Sequence, residues 1–192
     1  VQYGGVNQPP ASPSDPVLSP DDARLSGVVV VTGAANGIGR ATALTAASFG
    51  AFVVVCDRDA DGLATLVDEL TGSGLDPHGV IAQVLDVRDD DAVAAFAAAV
   101  ERRFGTVSGL VNNAGGTYRS AFADSSPKGD RALIDTNFTS VLGVTRAFLP
   151  LMAQGSSIVN VTSSATLAPF PLVAAYTASK TAIDGFTASL PS

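Results

Sequence analysis

Two nearly unbroken runs of valine set the terms for this chain: Val28–Thr32 (VVVVT) and Phe52–Asp57 (FVVVCD). β-Branched residues favour extended backbone. A strand with one face in water alternates apolar and polar residues. These runs do not alternate, so both of their faces must be covered. Between them, Gly37–Phe49 reads as a helix stopped by Gly50. The alternation then continues along the chain. A helix over Ala60–Thr71 is followed by a loop with Gly72, Gly74 and Pro77, then a strand over Val80–Asp86. Next come a helix over Asp89–Phe104, a strand over Gly109–Asn112 and a long helix over Asp130–Met152. A strand over Ser157–Thr162 and a helix over Val173–Leu190 complete the pattern. Strands that alternate with helices of this length form βαβ units and a parallel sheet. The expected architecture is α/β, a Rossmann-type doubly wound sheet with helices on both faces.

Residues 1–26 stand apart. Their segment QPPASPSDPVLSPDD is rich in Pro, Ser and Asp, so an extended or disordered tail is expected there. Residues 27–192 then form one nucleotide-binding domain.

Composition removes several classes of function. The net charge is -7, which gives no general reason to seek nucleic acid or an anionic membrane. No apolar run is long enough to span a bilayer. No basic region precedes an apolar stretch at the N-terminus, so no secretory signal is read and a cytoplasmic location is expected. Cys56 is the only cysteine and is expected to pack at a strand end. His78 is the only histidine, set between Pro77 and Gly79. It lies far in sequence from any Cys or carboxylate cluster, so no metal site is expected. A Ser-His-Asp hydrolase would need this histidine, and its turn setting does not support one.

Ligands of doubly wound sheets bind at the carboxyl ends of the strands. The first strand is followed by Gly33-Ala34-Ala35-Asn36-Gly37-Ile38-Gly39. Its glycines permit a tight turn and a close approach of backbone to a pyrophosphate, and the next helix presents its free N–H groups to that anion. Gly33, Asn36, Gly37, Ile38 and Gly39 are therefore candidate cofactor residues. After the second strand, Asp57 is placed to accept from a ribose hydroxyl and to repel a 2′-phosphate, which favours NAD over NADP. Arg58 follows directly and would partly offset that preference, whereas Ala35 and Asn36 add no basic side chain. After the third strand come Asp86 and Val87, where the carboxylate suits either an adenine amino group or the cap of the next helix. After the fourth come Asn112, with a structural role, and Asn113, Ala114 and Gly115, which line the cofactor. Ser163 follows the fifth strand. Beyond it Tyr176 and Lys180, at i and i+4, share one helix face.

Together these motifs resemble the short-chain dehydrogenase/reductase family from about Val28 to Leu190. The resemblance implies a hydride transfer between NAD(P) and an alcohol or ketone. It assigns Tyr176 as general acid/base, Lys180 as the group that lowers the tyrosine pKa and holds the nicotinamide ribose, and Ser163 as a hydrogen-bond donor to the substrate oxygen. It assigns Asn137, within the long helix, a water that links Lys180 to solvent. The reasoning is physical as well: a free tyrosine titrates near ~10 and a neighbouring ammonium moves it toward neutral pH. Tyr118 and Arg119, in the loop from Gly116 to Lys128, either touch a substrate or are ordinary surface residues. Family members often assemble as dimers or tetramers through the long helices. They also usually continue through two more strands, a Pro-Gly segment and a lid, none of which follows Lys180 in this sequence. The final strands are thus expected to be missing, leaving the fifth strand as an edge and the chain a fragment or unstable alone. The alternatives to catalysis are a non-catalytic NAD-binding protein on the same fold or an inactive truncated product.

Overall fold

The computed structural model describes residues 25–190. Five parallel strands lie in the order β3-β2-β1-β4-β5. They are β1 (Val28–Thr32), β2 (Phe52–Asp57), β3 (Val80–Val84), β4 (Val107–Asn112) and β5 (Met152–Asn160). The chain runs outward from β1 through β2 to β3, then returns to the other side of β1 as β4. The order therefore reverses between β1 and β4, and a crevice opens beyond their carboxyl ends. The tail expected over residues 1–26 lies almost wholly outside the described residues. Leu25, at its end, is tied to the fold: its N–H donates to Phe49 O at 2.8 Å.

The valine runs behave as their lack of alternation requires. Val28 and Val30 of β1 and Val54 and Cys56 of β2 face one core, with Phe96, Val100, Val144 and Phe148 from the helices above. Val31, Val53 and Val55 face a second core with Ala43, Ala46, Leu63, Leu66 and Leu70. Helices α1 (Gly37–Ser48) and α2 (Ala60–Gly72) cover the second face; α3 (Asp90–Phe104) and α5 (Ser140–Phe148) cover the first. Each fully buried Leu or Phe contributes roughly 1.5–3 kcal/mol by leaving water. Phe96 and Phe148 meet edge to face at 5.6 Å.

Caps fix where helices begin. Asp59 accepts from Gly62 N at 3.0 Å at the start of α2, and Asp89 accepts from Ala92 N at 3.0 Å at the start of α3. Asp86 is therefore not the cap of α3, which removes one of its two expected roles. In α3 the acidic first turn (Asp90, Asp91) and basic last turn (Arg102, Arg103) both suit the helix dipole.

The long helix differs from expectation. It begins earlier, at Pro127, because Ser126 caps it through Gly129 N at 3.0 Å and Pro suits the first helical position. It is not one regular helix to Met152: α4 (Pro127–Ile134) passes through a π turn (Asp135–Thr139) into α5. It stops at Phe148, before a 3₁₀ turn over Leu149–Leu151 in which Pro150 supplies no N–H. Strand β5 then starts at Met152 rather than Ser157, with a register break opposite Val107–Gly109 and Gly155 at φ 87°. Among the described residues β5 pairs only with β4, so it is an edge, and Val159 on it is 52% exposed. The last helix, α6 (Ala174–Ser189), packs on α4 and the π turn. Among the described residues no helix is long and apolar enough to cross a membrane.

Candidate active site

The crevice at the strand ends is an open cleft of about 740 Å³. Gly33, Asn36, Ile38, Asp57, Arg58, Asp86, Val87, Asn113, Ala114 and Gly115 all line it, as the strand-end reading requires. Gly37 and Gly39 belong to the same turn at its floor.

The turn after β1 is held from several directions. Thr32 Oγ1 accepts the N–H groups of Asn113 (3.1 Å) and Ala114 (3.0 Å), joining the ends of β1 and β4. The Asn113 amide donates to Thr32 O and Gly33 O, both at 2.9 Å. Gly33 has φ 65°, and a Cβ there would lie 2.7 Å from Ala114 Cα. A Cβ on Gly39 would meet Gly33 O at 2.2 Å. These contacts leave no room for a side chain at Gly33 or Gly39. Asn36 makes no side-chain cap for α1; its amide donates to Asp59 Oδ2 at 3.1 Å instead. The first N–H groups of α1 are thus left without side-chain partners.

Asp57 is locked in place, with Oδ2 accepting from Ala35 N and Oδ1 from Asp59 N, both at 3.0 Å. Asn112 is buried and structural, as expected: its amide donates to Thr145 Oγ1 at 3.0 Å and Asn160 Oδ1 at 2.8 Å. Thr32 opens the turn motif that carries the family resemblance, but its hydroxyl's role as an organiser is not marked in the sequence. Its only signal is a lone hydroxyl ending an apolar strand. Leu133 and Thr136 also line the cleft without a motif to announce them; of the two loop residues, Tyr118 lines it and Arg119 does not.

Ser163, Tyr176 and Lys180 do not line this cleft. Lys180 is 4% exposed and its Nζ donates to Val161 O at 2.8 Å, just past β5. Burial holds its amine below the ordinary lysine range. Tyr176, one helical turn earlier on α6, is half-buried. Ser163 caps the 3₁₀ turn Ser164–Thr166, its Oγ accepting from Ala165 N at 3.2 Å. That bond uses a lone pair and leaves the hydroxyl hydrogen free to donate. Asn137 is fully buried in the π turn. Its amide donates to Gly116 O at 2.8 Å and Leu133 O at 2.9 Å, and its Oδ1 accepts from Gly116 N at 3.1 Å. A Cβ on Gly115 would lie 2.7 Å from Asn137 Oδ1 and 3.4 Å from Lys180 Nζ. Gly115 thus lies between the cleft and Lys180. Leu172, just ahead of α6, sits at φ 73°, a strained conformation for leucine, and its carbonyl accepts Ser120 N at 2.9 Å.

The lysine predicts a pH effect on stability. Its depressed folded pKa means the unfolded chain binds the extra proton between that value and ~10.4. The contribution is complete above ~10.4 and is lost as pH falls through the folded value. Lys180→Met should remove this dependence. Urea titrations of both proteins at mildly and strongly alkaline pH should show the gap between them changing with pH. A constant gap would contradict the burial argument.

Comparison with known proteins agrees with this geometry. Residues 27–192 match the family described as short chain dehydrogenase. The chain is 37% identical over 164 residues to dehydrogenase/reductase SDR family member 7B of Bos taurus, covering 83% of this chain and 50% of that protein. It spans about half the length of that relative. A short chain dehydrogenase/reductase of Burkholderia phymatum, solved in complex with NAD, superposes with TM-score 0.79 at 34% identity, over 90% of this chain and 60% of its own. A metagenomic short-chain oxidoreductase, solved in complex with NADP, gives 0.80 at 37% identity, over 85% and 74%.

Proposed function

The chain belongs to the short-chain dehydrogenase family, and from that premise we propose that it moves a hydride between NAD(H) and a secondary alcohol or ketone. The observation that carries this reading is Lys180, a buried amine one helical turn from Tyr176, bonded at the end of β5 and set against Gly115 at the cleft. An amine is buried at such cost only where it serves a purpose, and strand ends are where this fold works.

The residues present fit a dinucleotide. The uncapped first turn of α1 suits a pyrophosphate, Gly33 and Gly39 let backbone approach it, and Asp57 is held rigid for ribose hydroxyls. When bound, the nicotinamide supplies or accepts the hydride. In oxidation, Tyr176 takes the hydroxyl proton of the substrate as hydride leaves the same carbon; in reduction it returns a proton to the carbonyl oxygen. The free hydroxyl hydrogen of Ser163 steadies that oxygen. Lys180 holds the nicotinamide ribose and refills the tyrosine proton, its lowered proton affinity suiting exchange. Asn137 is a positioning residue: it fixes Gly116, the neighbour of the Gly115 that lies against Lys180, and the second lone pair of Oδ1 remains for a relay water. Exposed Ile134 and Leu149, at the ends of α4 and α5, support a homodimer or tetramer through these helices.

NAD is preferred over NADP in this reading. The Asp57 carboxylate faces a 2′-phosphate with like charge. Arg88, the second arginine in this part of the cleft, is already paired with Asp86, leaving only Arg58 to oppose Asp57. Asp57→Ser should raise kcat/KM for NADP relative to NAD by about tenfold or more. An unchanged ratio would remove Asp57 from cofactor selection. Function itself is tested by supplying NAD with a panel of secondary alcohols and following the absorbance of reduced nicotinamide. Turnover of any member supports the reading; NAD binding without turnover across a broad panel favours a non-catalytic binder.

A further inference from the structure

The proposed machinery stands on two different elements. Ser163 follows β5, whereas Tyr176 and Lys180 ride on α6. A substrate oxygen reached by both Ser163 and Tyr176 needs the helix held at a fixed place against the strand end, since a misplacement of about 1 Å costs up to about a hundredfold in rate. Helix α6 packs on α4, the π turn and the Ser164–Thr166 turn. Among the described residues, two hydrogen bonds tie it directly to the end of β5 and the residue beyond. One is the Lys180 Nζ bond to Val161 O at 2.8 Å. The other starts from the neighbouring residue: Asn160 Nδ2 donates to Thr187 Oγ1 at 2.9 Å. Lys180 and Thr187 lie two helical turns apart, with buried Ile183 between them on the same face.

The second bond ends a hydrogen-bonded series that the proposed chemistry does not use. Asn160 Oδ1 accepts from Asn112 Nδ2 at 2.8 Å, across the register pair that these two residues form between β4 and β5. The same amide of Asn112 donates to Thr145 Oγ1 on α5 at 3.0 Å. Asn112 O also accepts Val161 N–H at 2.9 Å, so Asn112 fixes both neighbours at the strand end. Asn112 and Thr145 are buried, and the series therefore starts from well-held groups. Its link to α6 runs through one half-buried amide, which accepts on the β4 side and donates on the helix side. Thr187 is exposed, and water would satisfy both partners if the bond were lost. The bond therefore adds little to stability. What it sets is the place of α6 along the strand end.

Resting on the reading of Ser163, Tyr176 and Lys180 as one reacting group, we propose that Asn160 is a positioning residue for that group. Its amide clamps α6 to the end of β5 through Thr187, and so sets the spacing of Tyr176 and Lys180 on the helix from Ser163 and Val161 on the strand side.

The test is the pH dependence of kcat for an alcohol of the panel at saturating NAD, set beside urea unfolding. Thr187→Val keeps the shape of the side chain and removes its hydroxyl. It should lower kcat about three- to tenfold. It should also move the acid limb of the profile up by about half a pH unit, because a less well placed ammonium favours the phenolate less. Its urea midpoint should stay near that of the wild type. Thr187→Ser keeps the hydroxyl and should match the wild type in all three. Asn160→Ala removes the amide itself and should move the limb the same way as Thr187→Val. A Thr187→Val or Asn160→Ala protein with the wild-type kcat and acid limb would overturn the proposal while leaving the reacting group intact. A fall in kcat with an unmoved limb is what a purely structural contact gives, and would overturn it too. So would a Thr187→Ser variant as impaired as Thr187→Val. A wild type that turns over no alcohol of the panel would overturn the proposal together with the reading of the reacting group.

Discussion

Tyr176→Phe is expected to lower turnover by about three orders of magnitude while changing the NAD dissociation constant by less than about threefold. The substitution removes one oxygen and leaves the ring, so the half-buried aromatic surface on α6 persists. The packing of α6 does not rest on that oxygen, because Lys180, Ser179 and Ile183 are the buried residues of the helix. What is lost is the hydroxyl proposed to exchange a proton with a substrate oxygen. General acid–base catalysis contributes about 10²–10⁴-fold, so the effect should fall on kcat and kcat/KM together. Turnover that survives the change would remove Tyr176 from the chemistry. Loss of NAD binding in parallel would instead make the tyrosine a structural residue.

The second large effect concerns the turn. Gly39→Ala should destabilise the fold by about 1–3 kcal/mol and weaken NAD binding at least about tenfold. The new Cβ would lie 2.2 Å from Gly33 O and 2.5 Å from Asn113 Nδ2. Neither neighbour yields cheaply. Gly33 is tied by its own N–H to Cys56 O at 2.9 Å, and its carbonyl accepts the Asn113 amide at 2.9 Å. Relief therefore has to move the turn away from β4, which breaks the Thr32–Asn113–Ala114 network and would widen the proposed pyrophosphate site. Gly72→Ala is the control. It ends α2 with nothing within 4 Å of its Cβ position and should stay within about 0.5 kcal/mol of the parent. Equal stability of the two variants in urea would show that the turn is not packed as described.

Much of this arrangement is legible in the chain itself. The valine runs announce strands buried on both faces, because only a doubly covered strand can omit polar residues, and β1 and β2 fall at those residues. Tyr176 and Lys180 are legible because helical spacing alone puts them on one face. What the sequence hides are bonds between residues distant along the chain. Thr32 earns its place only when β4 comes alongside it, and nothing near Thr32 marks that. The π turn at Asn137 is equally silent, since a single five-residue widening leaves the apolar period of the flanking helices almost unchanged. Asp86 suggested a purine contact or a helix cap from its position after β3. The cap belongs to Asp89, and the carboxylate is taken by Arg88, a pairing that local spacing allowed but did not require. The start of β5 is hidden because Met152 pairs with Val107 ahead of a break in the ladder, which resumes only at Gly109 and Ser157.

A bound dinucleotide is expected to bridge the glycine turn after β1 and the Tyr176–Lys180 pair after β5. Crystals of this protein grown with NAD test it most directly. The pyrophosphate should lie against the first turn of α1, ribose hydroxyls on Asp57, and the nicotinamide ribose within hydrogen-bonding reach of Lys180. A dinucleotide bound in the opposite sense, or bound away from Gly115 and Lys180, would contradict it.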